Sequence, residues 1–242
     1  MIKLGILGSN GKMGRAVQRV ATTRYKDKIT LAAQVDPEQN APDSVEKLFE
    51  CDVVIDFSSS LAMAALATLA LKSDKHFPVF VVGSTGWKLD DRRSLEELAK
   101  KTPVLMSSNF SIGVLAVMDA IRHLSPVLER LKFDAVIIET HHKTKKDAPS
   151  GTAISLQRAI SPSGAGNIPV HSIRAGEVIG DHEVYFHGHA EQIVIKHTAH
   201  DRGVFAEGAI EVGLWLHEKK SGPRPGQLLG IETFFADFRG KK

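Results

Sequence analysis

The chain has 242 residues, 43% of them hydrophobic, and a formal net charge of +3 at pH 7. This length and composition allow one large core or two modest ones, so we expect one or two domains. The basic residues are interspersed with acids everywhere except at 143–146, which excludes the electrostatic footprint of a nucleic-acid-binding protein.

Cys51 is the single cysteine, so an intrachain disulfide is impossible, and we expect it to pack as a small hydrophobic residue. The first residues run directly into a strand pattern, without the basic and apolar regions of a signal peptide. No later segment is apolar over the length that a membrane span requires. These features predict a soluble, cytoplasmic protein without membrane or nucleic-acid partners.

Short apolar runs alternate with helical periodicity in the first half of the chain. This alternation predicts a Rossmann-like α/β domain, in which helices cover both faces of a parallel sheet. The predicted strands are 2–7, 29–36, 52–57, 79–82 and 104–107. The predicted helices are 11–25, 60–73, 90–101 and 108–130, the last with its pattern broken at Pro126.

The pattern changes after Phe133. Strand-like segments follow without helical periods between the later ones, at 135–138, 170–175, 183–187 and 192–196. They predict a second, α+β domain with an antiparallel or mixed sheet. A helical period returns at 205–219, before a turn-rich connector at 221–226 and a last apolar segment.

A glycine turn, Gly8-Ser-Asn-Gly11-Lys-Met-Gly14, follows the first predicted strand and begins the first helix. Glycines in this position let the backbone approach a pyrophosphate, and the helix N-terminus favours its charge. The spacing has one residue more than the commonest dinucleotide motif, and a plain strand-to-helix turn is the alternative.

Asp36 ends the second predicted strand, about twenty residues further on, where an acid accepts hydrogen bonds from an adenosine ribose. Pro37 follows it, and a carboxylate without an adjacent cation repels a 2′-phosphate. The pattern therefore favours NADH over NADPH, although Lys12 or Arg15 could offset part of the repulsion.

Two more turns follow predicted parallel strands, at the sheet edge where open α/β sheets bind ligands. They are Gly83-Ser84-Thr85-Gly86 and Ser107-Ser108-Asn109-Phe110-Ser111. Small, hydroxyl-bearing turns there could line a nicotinamide site or be simple loops. In the run 56–60, a serine is expected to cap the next helix.

The segment 139–152, E-T-H-H-K-T-K-K-D-A-P-S-G-T, combines two imidazoles, three ammonium groups and a helix start. His141 or His142 can supply a group that titrates near neutral pH. The lysines need an anion beyond Asp147 to offset their charge, and the N–H groups of the helix start could bind a carboxylate. The alternative is a solvated basic loop before an ordinary helix.

Taken together, these segments resemble the dihydrodipicolinate reductase family over nearly the whole chain. The resemblance rests on motifs at 8–14, 52–58, 83–86, 109–113 and above all 139–152, with further similarity at 174–182 and 202–209. It implies NAD(P)H-dependent reduction of 4-hydroxy-tetrahydrodipicolinate, on the diaminopimelate route to lysine.

The resemblance also implies roles for individual residues. His141 would be the catalytic proton donor, with Lys145 as a second acid or substrate ligand. His142 would contact the dicarboxylate substrate, one carboxylate of which would be held by Ser150, Gly151 and Thr152. The pyrophosphate and ribose would be bound by Gly8, Asn10, Gly11, Lys12, Met13, Gly14 and Asp36. The nicotinamide would be surrounded by Gly83, Ser84, Thr85, Ser107, Asn109 and Phe110.

The family's chain returns to its first domain after the second. The resemblance therefore implies a dinucleotide-binding domain at 1–110 and 203–242, a substrate-binding and oligomerisation domain at 111–202, and a homotetramer formed through the second-domain sheets. The chain departs from the family in a short segment at 37–51, in Lys143 where arginine is common, and in Thr144 where histidine is frequent.

Competing interpretations remain. His187 and His189 lie two apart on a predicted strand, but neither a cysteine nor a helical metal motif accompanies them, so no metal site is predicted. The roles of His182, His197 and His200 stay open, like those of this pair. A different amino-acid dehydrogenase should lack His-His-x-x-Lys followed by Ser-Gly-Thr. A nucleotide-sensing regulator would have no reason to concentrate ionisable groups at 139–152.

Overall fold

The computed structural model describes residues 1–37, 45–73, 77–161, 168–219 and 226–240. The chain divides into two compact units. The first contains Met1–Phe110 together with Gly203–Lys242, and the second contains Ser111–Arg202. Each unit has a sheet of its own.

The first unit contains a five-stranded, fully parallel sheet with the order β2-β1-β3-β4-β5. The strands are β1 (Ile2–Leu7), β2 (Ile29–Val35), β3 (Val53–Asp56), β4 (Val79–Val82) and β5 (Val104–Met106). This order results when crossovers run outward from β1 in both directions. The predicted Rossmann-like sheet is confirmed, with β2 and β5 one residue shorter at one end and β3 one residue shorter at each end.

Helices alternate with these strands: α1 (Lys12–Thr23), α2 (Ser60–Leu71) and α3 (Leu89–Ala99). The predicted serine cap is confirmed, because the Oγ of Ser59 accepts a hydrogen bond from the Ala62 N–H at 3.2 Å. A short 3₁₀ helix at Lys47–Glu50 was not predicted. The returning part of the chain adds α6 (Gly203–Lys219) and α7 (Ile231–Gly240), so the last apolar segment is helical.

The core of the first unit is built around the central strands, whose side chains are buried on both faces of the sheet. Cys51 packs into this core beside Leu48, as predicted for a small hydrophobic residue. Burial raises the pKa of the Cys51 thiol to about 11, which keeps it protonated and unreactive at neutral pH.

The second unit contains a four-stranded mixed sheet with the order β7-β6-β8-β9. The strands are β6 (Asp134–His141), β7 (Val170–Arg174), β8 (Gly180–His187) and β9 (Gln192–Ala199). β6 pairs with β7 in parallel and with β8 in antiparallel, and β8 and β9 are antiparallel. The predicted mixed sheet of an α+β domain is confirmed.

One face of this sheet packs against α4 (Ile112–Arg130) and α5 (Gly151–Ile160). Side chains alternate along each strand, so the other face carries residues such as Ile173 and Val194, which are 46% and 44% exposed. Among the described elements of the second unit, none covers this outer face.

The long helix reaches Arg130, as predicted, across the break that Pro126 makes in its sequence pattern. α4 continues through Pro126 to Arg130, and the hydroxyl of the neighbouring Ser125 donates to the Ile121 carbonyl at 2.7 Å. Proline removes one backbone donor, which the packing of both flanking turns into the core offsets. The helix also begins later than predicted, at a Ser111 cap.

Within the described ranges, no helix is long and apolar enough to cross a membrane.

Candidate active site

The glycine turn between β1 and α1 has the close packing that its sequence predicts. Gly8 has a φ of +83°, and a Cβ there would lie 2.8 Å from the backbone of Phe57 and Ser58. A Cβ at Gly14 would lie 2.1 Å from the Gly8 carbonyl oxygen. The first turn of α1 has neither a side-chain cap nor an acidic residue, so its N–H groups suit a pyrophosphate.

The turns predicted to bind the cofactor all follow one edge of the first sheet. Leu7, Asp56, Val82 and Met106 end their strands at matching register positions, and Val35 of β2 pairs with Leu7. The structure therefore brings the glycine turn to the same edge as the turns at 83–86 and 107–110. This edge is where open α/β sheets bind ligands.

Asp36 is held beside the glycine turn. Its Oδ2 accepts a hydrogen bond from the Asn10 N–H at 3.1 Å, which fixes the carboxyl group next to the predicted pyrophosphate site. Residues 38–44 of the short segment noted at 37–51 lie outside the described residues.

The sequence interpretation missed a buried carboxyl group at this edge, Asp56. Ser84 donates to its Oδ2 at 2.6 Å, while the Ser58 hydroxyl and N–H donate to its Oδ1 at 2.5 and 2.9 Å. Burial raises the pKa of Asp56, although these hydrogen bonds favour the ionised form. The Ser84 hydroxyl thus fixes one loop to the next, and its contact with a nicotinamide stays a prediction.

The remaining predicted nicotinamide residues lie in two adjoining turns. Phe110 is buried and meets the Phe57 ring edge to face, with centroids 5.8 Å apart. The Ser107 hydroxyl donates to the Asn109 carbonyl at 2.6 Å and accepts from the Asn109 N–H at 3.1 Å. Thr85 is exposed. These hydrogen bonds and ring contacts fix the conformation of the turns.

In the second unit, His141 ends β6 with its side chain buried on the helix-covered face. Glu139, two residues earlier, lies on the same face and is 0% exposed. Its carboxylate forms a hydrogen bond with Nδ1 of His141 and accepts two from Arg174, at 2.7 and 3.0 Å. The Ser150 N–H donates to the same group at 3.3 Å.

These contacts determine which nitrogen of His141 can exchange a proton. Burial opposes ionisation of Glu139, but the hydrogen bonds, led by those of Arg174, lower its pKa to about 2. An ionised carboxylate requires a proton on Nδ1, so Nε2 is the exchangeable position. A Cβ at Gly180 would lie 3.1 Å from Nε2, so this glycine keeps a side chain away from the nitrogen.

His182, whose role the sequence left open, is part of the same site. Its ring lies 5.1 Å from that of His141, edge to face, and its Nε2 is 3.2 Å from the Ser150 Oγ. The same Oγ accepts from the Ala153 N–H at 3.1 Å and so caps α5. Burial is the main reason that the pKa of His182 falls to about 3, so this imidazole is neutral at neutral pH.

The predicted second acid, Lys145, is half-buried, with its Nζ 2.9 Å from the Asp147 carboxylate. His142 precedes it in the same turn, with Nδ1 2.7 Å from the Thr144 hydroxyl. The other two lysines of the segment are exposed. The structure thus places Lys145 in the turn that follows β6, with its ammonium group paired with Asp147.

The other histidines have separate environments. His197 lies on β9 with its Nε2 3.2 Å from Ser111 Oγ, at the start of α4. His187 stacks on Tyr185 at a centroid distance of 6.0 Å, and it is exposed, as are His189 and His200.

The geometry also brings together a possible set of metal ligands, which sequence spacing did not suggest. Glu139, His141 and His182 offer ligand atoms within 4.8 Å of one another. A metal ion there would compete with Arg174, which binds both oxygens of Glu139. The hydrogen bonds within this cluster therefore favour an acid–base site.

Sequence reasoning missed the roles of Glu139, Arg174 and His182. The spacing of Glu139 and His141, two residues apart on a strand, was a usable signal, because such side chains lie on one face. Arg174 and His182 come from other strands, and no local spacing connects them with His141.

A parallel α/β unit with a glycine turn beside an acid, and a second unit with a buried acid–base histidine, define a two-domain nucleotide-dependent oxidoreductase. Family models described as the N-terminus and the C-terminus of dihydrodipicolinate reductase match residues 2–110 and 113–231. The chain therefore belongs to the dihydrodipicolinate reductase family.

Individual relatives agree with this assignment. The chain is 34% identical to a 4-hydroxy-tetrahydrodipicolinate reductase of Rickettsia bellii, with 92% of each chain covered. It is also 34% identical to the protein of that name in Clostridium perfringens, over 90% of this chain and 94% of the relative. A solved, dipicolinate-bound dihydrodipicolinate reductase from Paenisporosarcina sp. TG-14 has the same fold, with a TM-score of 0.72 at 23% identity over 95% and 97% of the chains.

The buried, neutral His182 is expected to make stability depend on pH. The unfolded chain binds a proton at an ordinary histidine pKa of 6.5, whereas the folded chain binds it only near 3. Stability is therefore lost as the pH falls below 6.5, by about 2 kcal/mol between pH 7 and pH 5 from this residue alone.

Urea unfolding at pH 7 and pH 5 measures this loss. The free energy of unfolding that is lost between pH 7 and pH 5 should be smaller in His182→Gln than in the wild type. The control His189→Gln, which alters an exposed histidine, should lose as much as the wild type. An equal pH dependence in all three proteins would contradict the assignment.

Proposed function

We propose that the chain catalyses the NAD(P)H-dependent reduction of 4-hydroxy-tetrahydrodipicolinate to tetrahydrodipicolinate, a step of lysine biosynthesis through diaminopimelate. The observation that carries the proposal is the hydrogen bond of His141 Nδ1 to ionised Glu139, which leaves Nε2 to donate a proton. Family membership supplies the substrate. A cytoplasmic location is proposed with it, which suits a chain whose one cysteine is buried and reduced.

A nicotinamide held by the turns at 83–86 and 107–110 would supply a hydride to carbon 4 of the cyclic conjugated imine that forms by loss of water. His141 or Lys145 then supplies the proton that completes reduction. The positive charge of Lys145 has two roles in this proposal. It attracts the dicarboxylate, and it stabilises the electron-rich enamine that hydride addition creates.

The start of α5 is the proposed site for one substrate carboxylate, held by Ser150, Gly151 and Thr152. The Ser150 N–H and Oγ already have partners in Glu139 and the Ala153 N–H. We therefore assign the binding to the helix start as a whole and not to Ser150 alone, with His142 and Lys145 contacting the substrate from the preceding turn.

The cofactor is proposed to bind along the turns at the carboxyl edge of the first sheet. Backbone groups of the glycine turn would hold the pyrophosphate, and Asp36 would accept from the adenosine ribose. The nicotinamide would contact the turns at 83–86 and 107–110. The close backbone packing at Gly8 and Gly14 supports this assignment.

Replacing His141 or Lys145 should separate their roles. His141→Ala is expected to lower kcat by about 10²–10⁴-fold, because one proton donor is lost, with KM little changed. Lys145→Ala should lower kcat and also raise KM, because the ammonium group provides both a proton and charge.

The assay follows NADH or NADPH oxidation with freshly made product of the condensation of aspartate semialdehyde and pyruvate. Lys146→Ala, at an exposed lysine of the same turn, is the control and should match the wild type. Wild-type rates in both active-site variants would contradict the proposed roles. A wild-type protein that turns over neither cofactor would overturn the proposed function.

Asp36 is expected to set the preference for NADH. In Asp36→Ala the ratio of kcat/KM for NADPH to that for NADH should rise by about tenfold or more, because repulsion of the 2′-phosphate is removed. Asp27→Ala removes an exposed acid of the same unit and should leave the ratio unchanged. A strong NADPH preference of the wild type would show that Asp36 does not dominate.

The outer face of the second sheet supports a homotetramer. Apolar residues such as Ile173 and Val194 stand on that face without cover from the described part of the unit. We propose that copies of the chain pair through these faces and form a tetramer.

Light scattering after size-exclusion chromatography measures the assembly. The wild type should elute with four times the mass of one chain, and the double variant Ile173→Glu/Val194→Glu should be smaller, because charges would be buried at the contact. Leu89→Glu introduces the same charge at an exposed position of the first unit and should remain tetrameric. A monomeric wild type would exclude the proposed assembly.

A further inference from the structure

We infer that Glu139 and Arg174 are positioning residues for His141: the carboxylate of Glu139 holds the imidazole by Nδ1 and aims Nε2 at the substrate, and Arg174 fixes that carboxylate. The inference deepens the proposed function and rests on His141 as the proton donor. Neither positioning residue is expected to touch the substrate.

The fold places these three residues through strand register. Glu139 and His141 share one face of β6, and Arg174 of β7 is the register partner of His141 in the adjacent parallel strand. The guanidinium binds both carboxylate oxygens, at 2.7 and 3.0 Å, which fixes the plane of the carboxylate as well as its position. The Arg174 group also donates to the Asp147 carbonyl at 2.5 Å, so it is itself held in place.

The charges around His141 act in opposite directions. Burial is the largest influence and lowers its pKa, and the positive charges of Lys145 and Arg174 lower it further. Glu139 alone among these groups raises it. The neighbouring His182 is neutral, since burial keeps its own pKa near 3. The pKa of His141 thus lies below its ordinary value, and Glu139 limits the fall.

A plain structural ion pair is the competing explanation, since Glu139 and Arg174 are both largely buried and such pairs occur without a catalytic role. The two explanations differ in sign. Loss of a positioning carboxylate should lower the pKa of His141 further. Mere loosening of the fold would admit water and raise that pKa toward its ordinary value.

Histidine NMR of the full chain without ligands tests this difference directly. With ¹³C,¹⁵N-labelled histidine, and with His141→Asn used to assign the signal, the titration midpoint and the tautomer of His141 are measured. In Glu139→Gln the midpoint should fall by about one pH unit, and the preference for a proton on Nδ1 should be lost. In Arg174→Gln the midpoint should rise, because a nearby positive charge is removed.

Glu191→Gln provides the matched control, since it makes the same change at an exposed position of the same unit. It should leave the His141 titration as in the wild type. An unchanged midpoint and tautomer in Glu139→Gln, or a midpoint that moves upward, would overturn the inference. If Glu139→Gln does not fold, Glu139→Asp takes its place, because it keeps the charge but withdraws the carboxylate from Nδ1. The preference for a proton on Nδ1 should then be lost, and an unchanged tautomer would overturn the inference.

Kinetics give a second measurement. In Glu139→Gln, kcat near pH 8 should fall about tenfold or more, KM should change little, and activity should recover partly at lower pH, where His141 regains its proton. A pH profile identical to the wild type would contradict the inference. If the wild type itself does not reduce the substrate, the proposed function fails, while the NMR titration still decides whether Glu139 controls His141.

Discussion

The buried carboxylate of Glu139 is the constraint on which the second unit's chemistry depends. It has no contact with water, and an isolated charge in that environment would be very costly. Arg174, His141 and the Ser150 N–H satisfy it together, and they come from two strands and the start of a helix. One charge thus ties the end of β6 to its neighbours and to α5.

In the first unit, the polar turns lie together at one edge of the sheet while the core stays buried. The strands stop at matching register positions, so their turns follow at one level. Asp56 then links two of these turns by accepting hydrogen bonds from Ser58 and Ser84. The buried apolar strands make the sheet rigid, and the serine hydroxyls hold the turns at its edge in place through Asp56.

Much of the fold follows from the sequence because its signals are local. Alternating strand and helix periods give the parallel sheet, and the glycine turn and the segment 139–152 indicate where polar chemistry lies. The partners of Glu139 could not be found in this way. Arg174 becomes the register partner of His141 only after a long crossover between parallel strands. His182 becomes the register partner of Glu139 only after the chain has reversed direction. Pro126 lies inside α4, where the packing of the flanking turns offsets the backbone donor that proline lacks.

Two helix starts are attached to the sheet by histidines. His182 and His197 are register partners on β8 and β9, and each lies 3.2 Å from a serine Oγ that caps a helix, at Ser150 and Ser111. A slip of one residue between these strands would turn one imidazole to the opposite face and release one helix. The two histidines therefore add the loss of a polar contact to the loss of apolar burial that a misaligned pairing would cause.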